Sequence, residues 1–71
     1  MTGHQAHHNP NWRTIDEERS VRLSAIPHGI YTQYAVHFVA ADGSLYWGNY
    51  FISKVDALDN YAQRVAERTH R

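Results

Sequence analysis

The 71-residue sequence contains no cysteine, so disulfide bonds and thiolate metal sites are excluded. It also lacks an apolar run long enough for a transmembrane helix, and residues 1–10 lack the apolar segment of a secretory signal. Seven basic and seven acidic residues give a formal net charge of zero, which provides no overall attraction to nucleic acid. We therefore expect one small cytoplasmic domain of marginal stability, without membrane contact.

Formal charge is nearly missing from the middle of the sequence. Between Leu23 and Ser53 the only formally charged side chain is Asp42. The same stretch contains most of the aromatic residues. Because interface cores are depleted in charge and enriched in aromatic residues, this composition favours a protein-binding surface.

Catalytic motifs are missing as well. The serine and threonine hydroxyls are not in a nucleophile-elbow sequence, and the acidic run 16–18 is of the kind that faces solvent. A domain of one sheet and one helix leaves little room for a catalytic pocket. We expect a non-enzyme that uses no cofactor.

Alternating apolar residues predict a three-stranded antiparallel meander. Residues 21–26 alternate with a period of two, and a turn follows at 27–29. A second strand, 30–40, leads into Asp42-Gly43, a strong hairpin signal, and a third strand spans 45–52.

A two-residue type I′ turn at Asp42-Gly43 would set the register of the second hairpin. The predicted opposite pairs are Ala41 with Ser44, Phe38 with Trp47, Val36 with Asn49 and Tyr34 with Phe51. The predicted core face contains Val21, Leu23, Ile30, Tyr34, Val36, Phe38, Leu45, Trp47 and Phe51. The opposite face, called the tyrosine face below, contains Arg22, Ser24, Tyr31, Gln33, Ala35, His37, Val39, Tyr46, Gly48 and Tyr50.

The first hairpin has two alternative registers. A three-residue loop at 27–29 would send Val21 and Leu23 to the tyrosine face, whereas a four-residue loop or a bulge keeps them in the core. We choose the register that buries both residues.

A C-terminal helix is predicted after Ser53, which is placed as its N-cap. Its apolar stripe, expected on the core face, consists of Val55, Leu58, Ala62, Val65 and Ala66. The segment 11–20 is interpreted as a helical turn or an irregular lead-in. The predicted fold class is therefore α+β, a three-stranded antiparallel β-meander packed against one C-terminal helix (βββα), with a flexible tail at 1–11 and a single domain at 12–71. Phe38, Trp47, Leu58 and Val65 are expected to be buried.

A candidate metal site lies at the N-terminus. If Met1 is removed, Thr2-Gly3-His4 offers an amine, two amides and the His4 imidazole, a nitrogen set that suits Cu(II) or Ni(II). The alternative is a histidine-containing tail with incidental affinity for metals.

The leading functional hypothesis is a small regulator or inhibitor, of the kind that phages and mobile elements encode, that docks on a larger host protein or self-associates. Its binding surface would be the aromatic tyrosine face, because aromatic residues and arginine dominate binding energy. The candidate partner-binding residues are Trp12, Arg22, Tyr31, His37, Tyr46 and Tyr50. Trp12 could instead cover one end of the core, and His37 could be an ordinary surface histidine.

The alternative hypothesis is nucleic-acid binding. Three strands with a hairpin at Asp42-Gly43, followed by the stretch 48–54 leading into a helix, resemble in architecture the AP2-type and integrase arm-binding domains over residues 21–69. That resemblance implies a sheet lying in the major groove. Those families carry several basic residues on the sheet, whereas the matching face here has Arg22 alone.

Overall fold

The computed structural model describes residues 11–69. Its elements are strands β1 (Arg13–Glu18), β2 (Val21–His28), β3 (Tyr31–Val39) and β4 (Leu45–Phe51), and helix α1 (Lys54–Thr69). The four strands form one open antiparallel sheet in the order β1-β2-β3-β4, and α1 packs across one face. The α+β class is confirmed, and the strand count is corrected from three to four. The predicted tail lies outside the described residues, except for Asn11.

Strand β1 replaces the predicted helical turn or irregular lead-in. It pairs antiparallel with β2, and Glu17 lies opposite Arg22, with which it forms an ion pair of 2.7 Å. All six of its residues are exposed, so it shows no apolar alternation. This edge strand is therefore formed by backbone pairing with β2 rather than by burial of its side chains. For that reason the alternation of apolar residues in the sequence does not predict it.

The hairpin between β2 and β3 keeps Val21 and Leu23 in the core as chosen, but the predicted turn at 27–29 and the predicted four-residue loop or bulge are both wrong, because β2 continues to His28. Its loop is the pair Gly29-Ile30, with a positive φ of 60° at Gly29, as type II′ turns require. The resulting pairs include Val21 with Phe38 and Leu23 with Val36. Val21 and Leu23 are fully buried, but Ile30, predicted in the core, is fully exposed at the turn.

The loop between β3 and β4 contains one residue more than predicted. Val39 lies opposite Leu45, and the Ala40 and Ser44 backbones are hydrogen bonded at 2.8 Å, which leaves 41–43 as a three-residue loop. Gly43 adopts a φ of 89°, the left-handed conformation that ends such loops. The predicted two-residue turn is therefore wrong, and the register next to the loop shifts by one residue.

A β-bulge at Trp47 restores the predicted register farther along β4. Phe38 lies opposite Tyr46 instead of Trp47, whereas Val36 with Asn49 and Tyr34 with Phe51 pair as predicted. The shift places Tyr46 on the helix side with Phe38, and Leu45 on the tyrosine face with Val39. Trp47, predicted in the core, is 74% exposed.

The core lies between the sheet and α1. Its buried cluster is Val21, Leu23, Val36, Ala57 and Tyr61, surrounded by partly buried Tyr34, Phe38, Phe51 and Val65. Helix α1 begins where predicted, because the Ser53 hydroxyl accepts a hydrogen bond from the Asp56 N–H at 3.3 Å. Its buried stripe is nevertheless different from the predicted one: Ala57 is buried, whereas Val55 and Leu58 are 67% and 42% exposed. Small Ala57 permits a close approach to the sheet, and Tyr61 supplies the apolar bulk that Leu58 was expected to supply.

Two substitutions on α1 test which of its faces is buried. Leu58→Ala should lower the free energy of unfolding by less than about 0.5 kcal/mol, because an exposed side chain loses little on truncation. Val65→Ala removes two methyl groups that pack on the core cluster and should cost about 1.5 kcal/mol. Urea denaturation of both variants measures this difference. A larger loss for Leu58→Ala would restore the stripe predicted from the sequence.

Candidate protein-binding cleft

Four of the predicted partner-binding residues lie together on the tyrosine face. The Trp12 ring stacks on the His37 ring with a centroid distance of 5.9 Å. The Tyr50 hydroxyl lies 3.0 Å from His37 Nε2, and Arg22 lies directly opposite His37 in the sheet. Trp12 thus covers a polar site on the sheet rather than the core beneath the helix.

The remaining two predicted residues, Tyr31 and Tyr46, lie elsewhere. Tyr31 stacks on His28 at 5.2 Å, beside the Gly29-Ile30 loop and six positions along β3 from His37. Tyr46 is on the opposite side of the sheet, 5.6 Å from Phe38 between ring centroids. The six residues therefore do not form one surface.

His37 is buried in this arrangement. It is 1% exposed, and its ring lies directly over Gly48. Burial, reinforced by the positive charges of Arg64 and Arg22, lowers the pKa of His37 from its ordinary value of 6.5 to about 4. Its imidazole is therefore neutral near pH 7, and within residues 11–69 Nδ1 has no hydrogen-bond partner.

A cleft of about 580 Å³ opens on the helix side of the sheet. It lies between the β1–β2 turn, the bulge in β4 and the C-terminal half of α1. Its lining residues are Arg19, Ser20, Phe38, Tyr46, Trp47, Glu67 and Arg68. We call this site the aromatic cleft.

Trp47 is exposed in the aromatic cleft, yet its backbone is firmly held. The Arg64 guanidinium donates from Nη1 to the carbonyl oxygens of Trp47 at 2.7 Å and Val36 at 3.4 Å. The Trp47 ring makes edge contacts with Tyr46 at 5.6 Å and Phe38 at 5.9 Å. Arg64 therefore fixes the backbone of the bulge to the helix, and the two neighbouring rings contact the exposed indole.

Two arginines of α1 lie against the Phe38 ring. The guanidinium carbons of Arg64 and Arg68 are 4.7 and 5.0 Å from the ring centroid, within the range of cation–π interactions. Among residues 11–69, neither arginine has a carboxylate within ion-pair distance. Glu67 lines the aromatic cleft but interacts with Arg64 only at longer range. Within the described part of the protein, Arg68 thus brings to the wall a positive charge that is not in an ion pair.

Backbone strain is concentrated at the aromatic cleft. Arg19 and Ser20, with φ of 51° and 62°, form the turn between β1 and β2, and Trp47 has a φ of 54°. These are the non-glycine residues with positive φ among 11–69, and all three line the cleft. A left-handed conformation costs a non-glycine residue about 1–2 kcal/mol, and such strain is often stored at functional sites. Arg68 braces the turn by donating from Nε to the Arg19 carbonyl at 3.0 Å.

Sequence patterning missed this cleft because it placed Trp47 in the core. One signal was present: an isolated glycine in a strand, here Gly48, is typical of a bulge. No sequence signal indicated that the Arg19-Ser20 turn and the C-terminal half of α1 would meet beside Trp47.

The candidate metal site at His4 lies outside the described residues. Within residues 11–69, no group of three or more potential metal ligands comes together. The same part of the protein has no helix that is long and apolar enough to cross a membrane.

Comparison of the sequence with protein-family models, with curated proteins and with solved structures finds no significant match.

Proposed function

We propose that this protein is a non-enzymatic protein-interaction module, a small cytoplasmic regulator or inhibitor that docks on a larger partner protein through the aromatic cleft. The observation that carries the proposal is Trp47, a large aromatic side chain that is 74% exposed on a backbone anchored by Arg64. An exposed tryptophan with a fixed backbone loses little conformational freedom on binding and buries a large area.

The residue types around Trp47 support this proposal. Tryptophan, tyrosine and arginine dominate the binding energy of protein interfaces, and the aromatic cleft combines Trp47 and Tyr46 with Arg19 and Arg68. The concave shape offers a partner side chain the desolvated pocket that an interface anchor needs. A flat face of similar composition would bury less of an anchoring side chain.

The proposed surface differs from the one expected from the sequence. His37 is buried beneath Trp12, and Tyr46 lies on the helix side, so the tyrosine face offers fewer free aromatic contacts than its sequence suggests. Its most exposed aromatic residues, Tyr31 and Tyr50, lie at separate positions. The aromatic cleft groups its aromatic residues in one place.

Nucleic-acid binding is the less favoured proposal. On the tyrosine face of the sheet, Arg22 is already paired with Glu17. Strand β1 adds the carboxylate of Glu17 to this face, and a carboxylate repels phosphates. A surface that binds through backbone phosphates needs several unpaired cations, which this sheet does not provide.

Comparison of Trp47→Ala with Tyr31→Ala tests the proposed surface. Tyr31 is a matched control because it is an aromatic residue, 48% exposed and remote from the aromatic cleft. In cross-linked cells of the native host, partners captured by the wild type should also be captured by Tyr31→Ala. Trp47→Ala should recover at least tenfold less, because loss of a hot-spot aromatic typically costs this much affinity or more.

The same capture experiment can contradict the proposal. Equal recovery by Trp47→Ala and the wild type would exclude the aromatic cleft as the binding surface. Loss of the partner with Tyr50→Ala alone would return the interface to the tyrosine face. Circular dichroism of each purified variant separates lost binding from lost folding.

A further inference from the structure

We propose that the aromatic cleft recognises the C-terminal carboxylate of a partner protein whose last residue has a large apolar side chain. This inference rests on the proposed protein-binding function and gives its partner a definite chemistry. The carboxylate is inferred from the positive charge on one wall of the cleft, and the apolar side chain is inferred from the aromatic rings on the other wall.

Arg68 supplies the carboxylate-binding group. Its Nε donates to the Arg19 carbonyl at 3.0 Å and its guanidinium lies on Phe38, so the side chain is held from two sides. Within residues 11–69 its terminal nitrogens have no acceptor. A guanidinium fixed in this way, with free terminal donors, suits bidentate binding of a carboxylate.

Arg19 supplies a second positive charge at the same end of the cleft. Its ion pair with Glu18, at 2.7 Å, is between side chains that are 46% and 55% exposed. Such exposed pairs contribute little to stability, so Arg19 can turn toward an incoming anion at little cost. A carboxylate between Arg19 and Arg68 would therefore meet two cations.

The aromatic wall provides the neighbouring apolar subsite. The rings of Phe38, Tyr46 and Trp47 contact one another at centroid distances of 5.6–5.9 Å and leave the indole of Trp47 exposed. The cleft volume of about 580 Å³ is in the range of sites that enclose small ligands or single anchoring side chains. An apolar side chain placed there would be covered by rings while its carboxylate reaches Arg68.

The acidic residues around the cleft favour one carboxylate over a polyanion. Glu67 lines the cleft itself, and Glu18 adjoins the Arg19-Ser20 turn. A nucleic-acid strand would bring successive phosphates toward these carboxylates, which repel them. A peptide with one negative charge avoids that repulsion.

Titration calorimetry of the full-length protein with synthetic peptides tests the inference. The first pair is acetyl-Ala-Ala-Phe with a free carboxylate and the same peptide as its amide. The second pair is acetyl-Ala-Glu-Phe-Ala amide and its glutamine counterpart. The free carboxylate of the first pair should bind at least tenfold tighter than its amide. A preference for the acidic member in the second pair alone would assign the cleft to internal acidic side chains and overturn the inference.

Arg68→Gln should abolish this preference for the acidic peptide, and Arg68→Lys should retain part of it, because lysine keeps the charge but not the planar pair of donors. Arg13→Gln is the matched control, since it removes an exposed arginine outside the cleft and should leave the preference unchanged. The comparison of acidic with neutral peptides on the wild type does not depend on any variant folding.

Equal affinity for acidic and neutral peptides, or binding of neither, would overturn the carboxylate inference. The capture experiment with Trp47→Ala would then still decide the protein-binding function by itself. Tighter binding of a twelve-residue oligothymidylate than of the acidic peptides, with an affinity that falls steeply with salt, would overturn both.

Discussion

Gly48→Ala is expected to lower the free energy of unfolding by about 3 kcal/mol, at the upper end of the usual cost of overpacking. A Cβ atom at position 48 would overlap His37 Nε2 and lie 2.6 Å from its Cδ2. The imidazole cannot retreat easily, because Trp12 stacks on it and Tyr50 is hydrogen bonded to it. Thermal or urea unfolding measures the loss.

A double-mutant cycle identifies the cause of that loss. In a His37→Ala background the clash is absent, so adding Gly48→Ala should lower the free energy of unfolding by less than about 1 kcal/mol. The difference between this cost and the cost in the wild type is the coupling energy of the two positions. An equal cost in both backgrounds would mean that glycine is needed for the backbone of the bulge rather than for the imidazole.

Acidification from pH 7 to pH 4 should remove about 2 kcal/mol of stability through His37 alone. The pKa of His37 is about 4 in the folded protein and 6.5 in the unfolded state, so the unfolded state binds the proton more readily. The stability that depends on a neutral His37 is therefore fully present above pH 6.5, and it is lost progressively as the pH falls toward 4. The pKa difference sets an upper bound of about 3 kcal/mol, which solvent screening of the charges of Arg22 and Arg64 reduces.

The measurement compares the pH dependence of unfolding in the wild type and in His37→Gln. Titration of the carboxylates affects both proteins equally, so the difference between the two curves isolates His37. His28→Gln is the control for the replacement of a histidine by glutamine, because His28 is an exposed histidine in the same sheet. Parallel curves for the wild type and His37→Gln would show that His37 is not desolvated in the folded state.

Local sequence signals determined the order of β2, β3, β4 and α1 and their approximate bounds. Alternating residues identified β2, β3 and β4, and Ser53 correctly marked the start of α1. Those signals act within a few residues, and each has a local cause: burial of every second side chain, or satisfaction of a free N–H group. The core residues Val21 and Leu23 followed from the same alternation.

Tertiary structure decided the register of β4, the buried face of α1 and the existence of β1. One extra residue in the loop at 41–43 shifts the register of β3 with β4 by one residue, and the bulge at Trp47 shifts it back. The residues near the loop and those beyond the bulge are therefore paired in two different registers. The predicted and the observed registers of β4 each place apolar residues on both faces of the sheet, so the alternation of residues cannot distinguish between the two registers. Likewise, Leu58 and Tyr61 offer two competing helix stripes, and only packing against the sheet selects Tyr61.

The aromatic cleft depends on all of these tertiary choices. Its walls come from a turn between two strands, a bulge and the last turns of a helix, which are separated by up to 49 positions along the sequence. The residue types were visible in the sequence, and so was the scarcity of charge that suggested a binding surface. The place where these residues meet was not visible in the sequence. It depends on a one-residue difference in loop length and on the rotation of one helix about its axis. Both are set by packing over the whole domain rather than by neighbouring residues.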